Sequence, residues 1–149
     1  MKPKSFHDLA ARLANEGSEP AQFRTAISRA YYSVYNTGAH LVRTLTGAFE
    51  PPENQGYHTW LRDCLKQSKD NLVIQTGQQL YGMSEQRKDA DYEMDASKAK
   101  TAVENQKTAQ TAVELAARLI ERLENARKDP TRRNRIQTAL HNCTRARRR

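Results

Sequence analysis

Cysteine is scarce in this chain. Cys64 and Cys143 are the two it has among 149 residues, and no Cys-x-x-Cys spacing joins them to anything. Neither a disulfide framework nor a zinc site follows, and two reduced thiols suit an intracellular compartment. Long apolar runs are missing as well. No stretch approaches the roughly 18 residues of a membrane span, and residues 1–17 lack the apolar core of a secretory signal. A soluble, cytoplasmic protein with no membrane partner is therefore expected. The histidines His7, His40 and His58 show no metal-ligand spacing, and there is no Glu-x-x-His, glycine-rich phosphate loop or Gly-x-Ser-x-Gly elbow. No cofactor or metal is expected. With 37% hydrophobic residues, 7% aromatics and a mean hydropathy of −0.92, the core must be narrow.

One charge sign dominates only locally. The net charge is +8, from 25 Lys and Arg against 17 Asp and Glu. Residues 1–125 hold 16 of each sign, whereas 126–149 hold nine basic residues and one acid, Asp129. The sequence thus predicts a neutral body over 1–127 and an Arg-rich flexible tail over 128–149, with room in the tail for a short helix from Asn134 to His141. Such a tail would bind polyanions in a salt-sensitive way through Arg132, Arg133 and Arg135, and would be removable without unfolding the body.

Strand-like alternation is absent, and the five prolines divide the chain into segments of helical period. Segment 5–16 aligns Phe6, Leu9, Ala10 and Leu13 and stops at Gly17. The next begins with Ser18 as a candidate N-cap and Pro20 in the first turn, and keeps Phe23, Ile27, Ala30, Tyr31, Val34, Gly38, Leu41, Val42 and Leu45 on one face as far as Thr46-Gly47. Segment 57–69 carries Trp60, Leu61, Cys64 and Leu65. Segment 70–92 opens on a capping Asp70, with a bend expected at Gly77 or Gly82, and an Ala-rich segment covers 96–127 up to Asp129-Pro130. The predicted class is all-α, an up-and-down bundle of four to five helices followed by the basic tail.

Two constellations carry potential chemistry. At about 100° per residue, Arg29, Tyr32, Asn36, His40 and Arg43 fall on the side of the second segment opposite its apolar face, at spacings of 3, 4, 4 and 3. Cations, a phenol and an amide in line can contact phosphate and base together; the plain alternative is a solvated helix back. Arg87-Lys88-Asp89-Ala90-Asp91-Tyr92 is the second. Arg87 and Asp91 are four apart and form either an ordinary surface pair or a guanidinium held by Asp91 or Tyr92 with its fork free for phosphate.

Ser28-Arg29-Ala30-Tyr31-Tyr32 in a long second helix, with Arg87-x-x-Ala90-Asp91-Tyr92 before a long Ala-rich helix, resembles the HEPN family, in particular its small single-domain prokaryotic branch. The resemblance covers about residues 5–126. It implies an up-and-down helical bundle, usually a homodimer, that binds RNA or nucleotides, serves toxin-antitoxin or antiviral systems, or partners a nucleotidyltransferase-like antitoxin. Many members are metal-independent endoribonucleases with Arg, four to six residues, then His. The chain departs from that motif: five residues after Arg87 stands Tyr92, and a phenol with an ordinary pKa near 10 is a poor general base. Arg135 and His141 have the motif spacing but lie in the tail. By resemblance His58, in Gly56-Tyr57-His58, takes the place of a further element.

Three readings follow. In the first, the chain is a binding module for RNA, a nucleotide or a partner protein. In the second it is a ribonuclease in which Arg87 stabilises the phosphorane and His58 or His40 moves protons. The third is a structural docking bundle in which Arg29 and Arg87 only pair with carboxylates.

Overall fold

The computed structural model describes residues 2–47, 50–92 and 101–147, and for Tyr92 and 142–147 the backbone alone. Among the described residues the chain is all-helical, with no strand: α1 Pro3–Glu16, α2 Pro20–Thr46, α3 Tyr57–Lys66, α4 Asn71–Tyr92, α5 Ala102–Lys128 and α6 Pro130–Arg147. Six described helices exceed the four to five expected, and residues 96–100 of the Ala-rich segment lie outside the described residues.

Local chemistry sets the boundaries. Pro20 opens α2, but the capping group is Gln22, whose Oε1 accepts from the N–H groups of Ser18 (2.8 Å) and Glu19 (3.0 Å). Asp70 caps α4 as expected, its Oδ1 accepting the Val73 N–H at 3.1 Å. At the start of α5 a reciprocal capping box forms, the Thr101 N–H donating to Glu104 and the Glu104 N–H to Thr101 Oγ1. No break occurs in α4 at Gly77 or Gly82; the helix runs through both.

Contacts divide the chain into two compact units, Met1–Asn36 with Gly82–Leu119, and Thr37–Tyr81 with Ile120–Arg149. In the first unit, α1 is fastened to α5 by polar side chains. His7 Nε2 donates to the Val113 carbonyl at 3.3 Å, and Gln106 Nε2 reaches the carbonyls of Ala14 (3.2 Å) and Asn15 (3.3 Å). Gln106 thereby satisfies carbonyls that the end of α1 leaves open. The core here is rich in small side chains, Ala10, Ala14, Ala26, Ala30, Ala109, Ala112 and Ala116, around Phe23, Tyr31 and Val34.

In the second unit, α3 is held tightly by two glycines. A Cβ at Gly38 of α2 would stand 3.2 Å from Leu61 Cδ2, and one at Gly77 of α4 would stand 3.0 Å from Leu65 Cβ and 3.2 Å from the Arg62 carbonyl oxygen. Trp60, Leu61, Cys64 and Leu65 are buried there with Leu41, Val42, Val73 and Leu80. The glycine at 77 is thus a close-approach residue rather than a hinge.

The tail expected to be flexible over 128–149 is instead helical wherever it is described, the short helix allowed over 134–141 being part of a longer one; residues 148 and 149 lie outside the described residues. Residues 130–147 are helical, and Ile136 and Leu140 are fully buried, as Ala139 nearly is. Asp129-Pro130, read as a stop signal, is also a start signal. The Asp129 carboxylate accepts the N–H groups of Thr131 (3.0 Å) and Arg132 (3.1 Å), and Pro130 occupies the first turn, where its missing N–H costs nothing. Gln137 Nε2 donates to the Leu45 carbonyl at 2.9 Å, closing the end of α2.

Candidate functional site

Two arginines and four aromatic rings meet in the first unit. The 31–35 stretch of α2 places Tyr31, Tyr32 and Tyr35 within little more than one turn. Tyr31 and Tyr32 pack edge to face at 5.3 Å between centroids, Tyr31 and Tyr35 stack at 6.2 Å, and Tyr32 meets Tyr35 at 6.3 Å. From α1, Phe6 adds a fourth ring 6.3 Å from Tyr32. Tyr31 is fully buried, whereas Tyr32 keeps part of its surface in solvent.

Arg87, from α4, lies over this group. Its Cζ is 5.3 Å from the centroid of Tyr31 and 5.6 Å from that of Tyr32, and Nη1 donates to Asp91 Oδ2 at 3.3 Å. The Arg87 side chain is 16% exposed and that of Asp91 33%. Each ring face attracts a guanidinium by about 0.5–2 kcal/mol, the larger values applying where water is excluded. Arg87 Nε is buried and finds no acceptor among the described residues. A buried donor left unmatched costs about 1–3 kcal/mol, so the guanidinium is held by ring faces and one carboxylate with donor capacity to spare. A second cation, Arg29, lies over Phe6 at 5.6 Å.

The structure therefore brings together Arg29, Tyr32, Arg87 and Asp91 out of the residues singled out by sequence. Tyr32 is no part of a solvated helix back, because Phe6 of α1 covers it. Asn36 spends its Nδ2 on the Tyr32 carbonyl at 2.7 Å, inside the helix. Farther along α2, His40 and Arg43 are exposed and belong to the second unit, as does His58, half-buried in α3. The backbone of Tyr92 ends α4; its side chain lies outside the described residues.

In the second unit the tail arginines divide. Arg132 makes a bidentate pair with Asp70, Nε to Oδ2 at 2.9 Å and Nη2 to Oδ1 at 3.1 Å, and Arg135 adds a contact at 3.3 Å. The Arg132 fork is committed to holding α6 and is not open to phosphate; Arg133 is exposed. Asp70 is 3% exposed. The hydrogen bonds from Arg132 hold its carboxyl below the usual aspartate value; burial opposes this, and the Val73 N–H and Arg135 assist it.

Phe6, Tyr31 and Tyr35 were not singled out as site residues by sequence. A signal was present: three of the six tyrosines fall within five residues. An open cleft of about 630 Å³ in the same unit is lined by Gln86 of α4 and by Glu104, Lys107, Thr108 and Thr111 of α5. Among the described residues no group of three His, Cys, Asp or Glu side chains is placed to hold a metal ion, and no helix is long and apolar enough to cross a membrane. Compared with protein-family models, curated proteins and solved structures, the chain finds no match.

Proposed function

We propose that the chain is a HEPN-like module that binds RNA or a nucleotide, acting as a homodimer or with a partner protein such as a nucleotidyltransferase-like antitoxin. The supporting observation is the seat of Arg87. Its guanidinium lies on two tyrosine rings, is tethered by Asp91, and retains a buried Nε donor without an acceptor among the described residues. Orientation by rings and one carboxylate readies a guanidinium for a phosphate oxygen. Tyr32, partly exposed beside it, adds an aromatic edge to the site, and Arg29 supplies a second cation one turn back along α2.

The ribonuclease reading draws less support. The position where the related motif carries histidine is Tyr92, and the described side chains of the cluster include no histidine. The docking-bundle reading has one observation of its own: the charge of Arg87 is already matched by Asp91 and two rings, as a purely structural arginine would be. Binding of a fluorescent RNA oligonucleotide and of mononucleotides to the purified protein, with Arg87→Ala and Arg29→Ala as variants, separates these. The module reading expects weaker binding with little change in melting temperature. The docking reading expects the converse, and RNA cleaved in EDTA by the native protein but not by Arg87→Ala would establish the nuclease.

A further inference from the structure

The second unit carries most of the positive charge. It holds 14 Lys and Arg against seven Asp and Glu, while the first unit holds 11 against ten. Within it, a tyrosine that packs into no core stands out: Tyr81, in α4, is 55% exposed. The Arg62 guanidinium of α3 lies over its ring at 4.9 Å, and Nη2 of Arg62 donates to Thr59 Oγ1 at 3.2 Å, which fixes the plane of the fork.

The register that makes this contact comes from Gly77. Tyr81 is one helical turn beyond it on the same face of α4. At Gly77 the two helices approach so closely that a Cβ would meet Leu65 Cβ at 3.0 Å and Lys66 Cγ at 3.2 Å. Arg62 and Lys66 are likewise one turn apart on α3. The α3–α4 pair thus presents two successive rungs, arginine over tyrosine and lysine over glycine, about 6 Å apart along the helices. Lys66 is exposed, as is Lys69 just beyond α3.

We infer that the α3–α4 face of the second unit is a binding site for single-stranded RNA. The ring of Tyr81, backed by Arg62, stacks on a base, and Lys66 and Lys69 contact the phosphates that follow it. A base in a duplex has no free face to offer a tyrosine, so the strand must be single. The backing guanidinium keeps the ring from rotating and adds positive charge where the phosphates run. This inference rests on the reading of the chain as an RNA binder, but places the contact on residues outside the Arg87 cluster.

The test is fluorescence anisotropy of the full chain with a labelled 12-nucleotide oligo(U) and with a duplex of equal length, over a salt series. Tyr81→Ala and Lys66→Ala should each weaken oligo(U) binding, Tyr81→Ala by about tenfold, while Tyr81→Phe stays near native. Lys66→Ala should also flatten the salt slope by about one. Circular dichroism checks that the surface variants are folded. Binding by Tyr81→Ala within twofold of native, equal affinity for duplex and single strand, or no binding of oligo(U) by the native chain would overturn the inference. Arg87→Ala measured alongside keeps the two sites distinct. Loss in Arg87→Ala alone sinks the α3–α4 site and spares the cluster, and loss in the Tyr81 and Lys66 variants alone does the reverse.

Discussion

Asp70 shows how one residue can decide the fate of eighteen others. Its carboxylate caps α4 through the Val73 N–H and at the same time takes two hydrogen bonds from Arg132 and one from Arg135. Its folded-state pKa lies below the ordinary 3.8. The folded chain therefore holds this proton less tightly than the unfolded chain. The pair's contribution is fully present above the unfolded value and is lost as pH falls from there through the folded value. An acid titration followed by circular dichroism should show helix loss beginning below about pH 4, and Asp70→Asn should remove that component. At pH 7 the same substitution should cost about 2 kcal/mol, less than the 3–5 of a fully buried pair because Arg132 and Arg135 remain partly wet. Equal urea midpoints for the two proteins would contradict this role. The sequence marks Asp70 as a helix cap, which is a local property. Its arginine partners lie more than sixty positions away, and no spacing rule connects them.

At the scale of the helix, α4 and α6 show which signals carry and which do not. A glycine in a helical run reads the same whether it bends the helix or admits a neighbour, since both show only as lost propensity. The structure distinguishes them. An added Cβ at Gly82 meets nothing within 4 Å, so Gly82→Ala should stabilise the protein by up to about 1 kcal/mol. Gly77→Ala should destabilise it by about 1–3 kcal/mol through overpacking against Leu65, despite the same gain in propensity. Thermal melts of the two variants should move in opposite directions.

The full length and the burial of helix α6, of which the sequence suggests only a short stretch over 134–141, are illegible for a different reason. Its apolar residues Ile136, Ala139 and Leu140 make one patch of little more than a turn among many arginines, too short to register as a period. They are buried because α6 is held to the second unit by the Asp70 pairs and the Gln137 contact with Leu45. Truncation after Lys128 should thus lower the melting temperature by at least about 5 °C, from the loss of roughly 2 kcal/mol or more. A truncated chain that melts like the native one would restore the flexible-tail reading. By contrast the long helix α2 was legible almost to the residue, because its stripe from Phe23 to Leu45 spans about six turns and its ends carry Pro20 and Gly47.

For the molecule as a whole, the charge of +8 is not confined to a dangling tail among the described residues. Part of it is spent internally, with Arg132 on Asp70, and part lies on the ordered surface of the second unit. The first unit is close to neutral and holds the arginine–tyrosine cluster. Of that cluster, Arg29, Tyr32, Arg87 and Asp91 could be picked out by helical spacing and by resemblance. Phe6 and Tyr31 read simply as core because they lie on apolar faces, and Tyr35 is marked only by the clustering of three tyrosines within five residues. Their rings give Arg87 its seat, and a guanidinium on ring faces is a different chemical object from the surface ion pair its spacing with Asp91 implies. Replacement by lysine should expose the difference, because an ammonium keeps the charge but lacks the planar fork and its stacking. The most direct measurement is the affinity of native, Arg87→Lys and Arg87→Ala proteins for a single-stranded RNA oligonucleotide and for mononucleotides, at two salt concentrations. A seat built for a guanidinium predicts about a tenfold loss for Arg87→Ala with at least one of these ligands and little recovery in Arg87→Lys, with melting temperatures within a few degrees of native. Undiminished affinity in Arg87→Ala for every ligand, or a folded native protein that binds none of them, would contradict it.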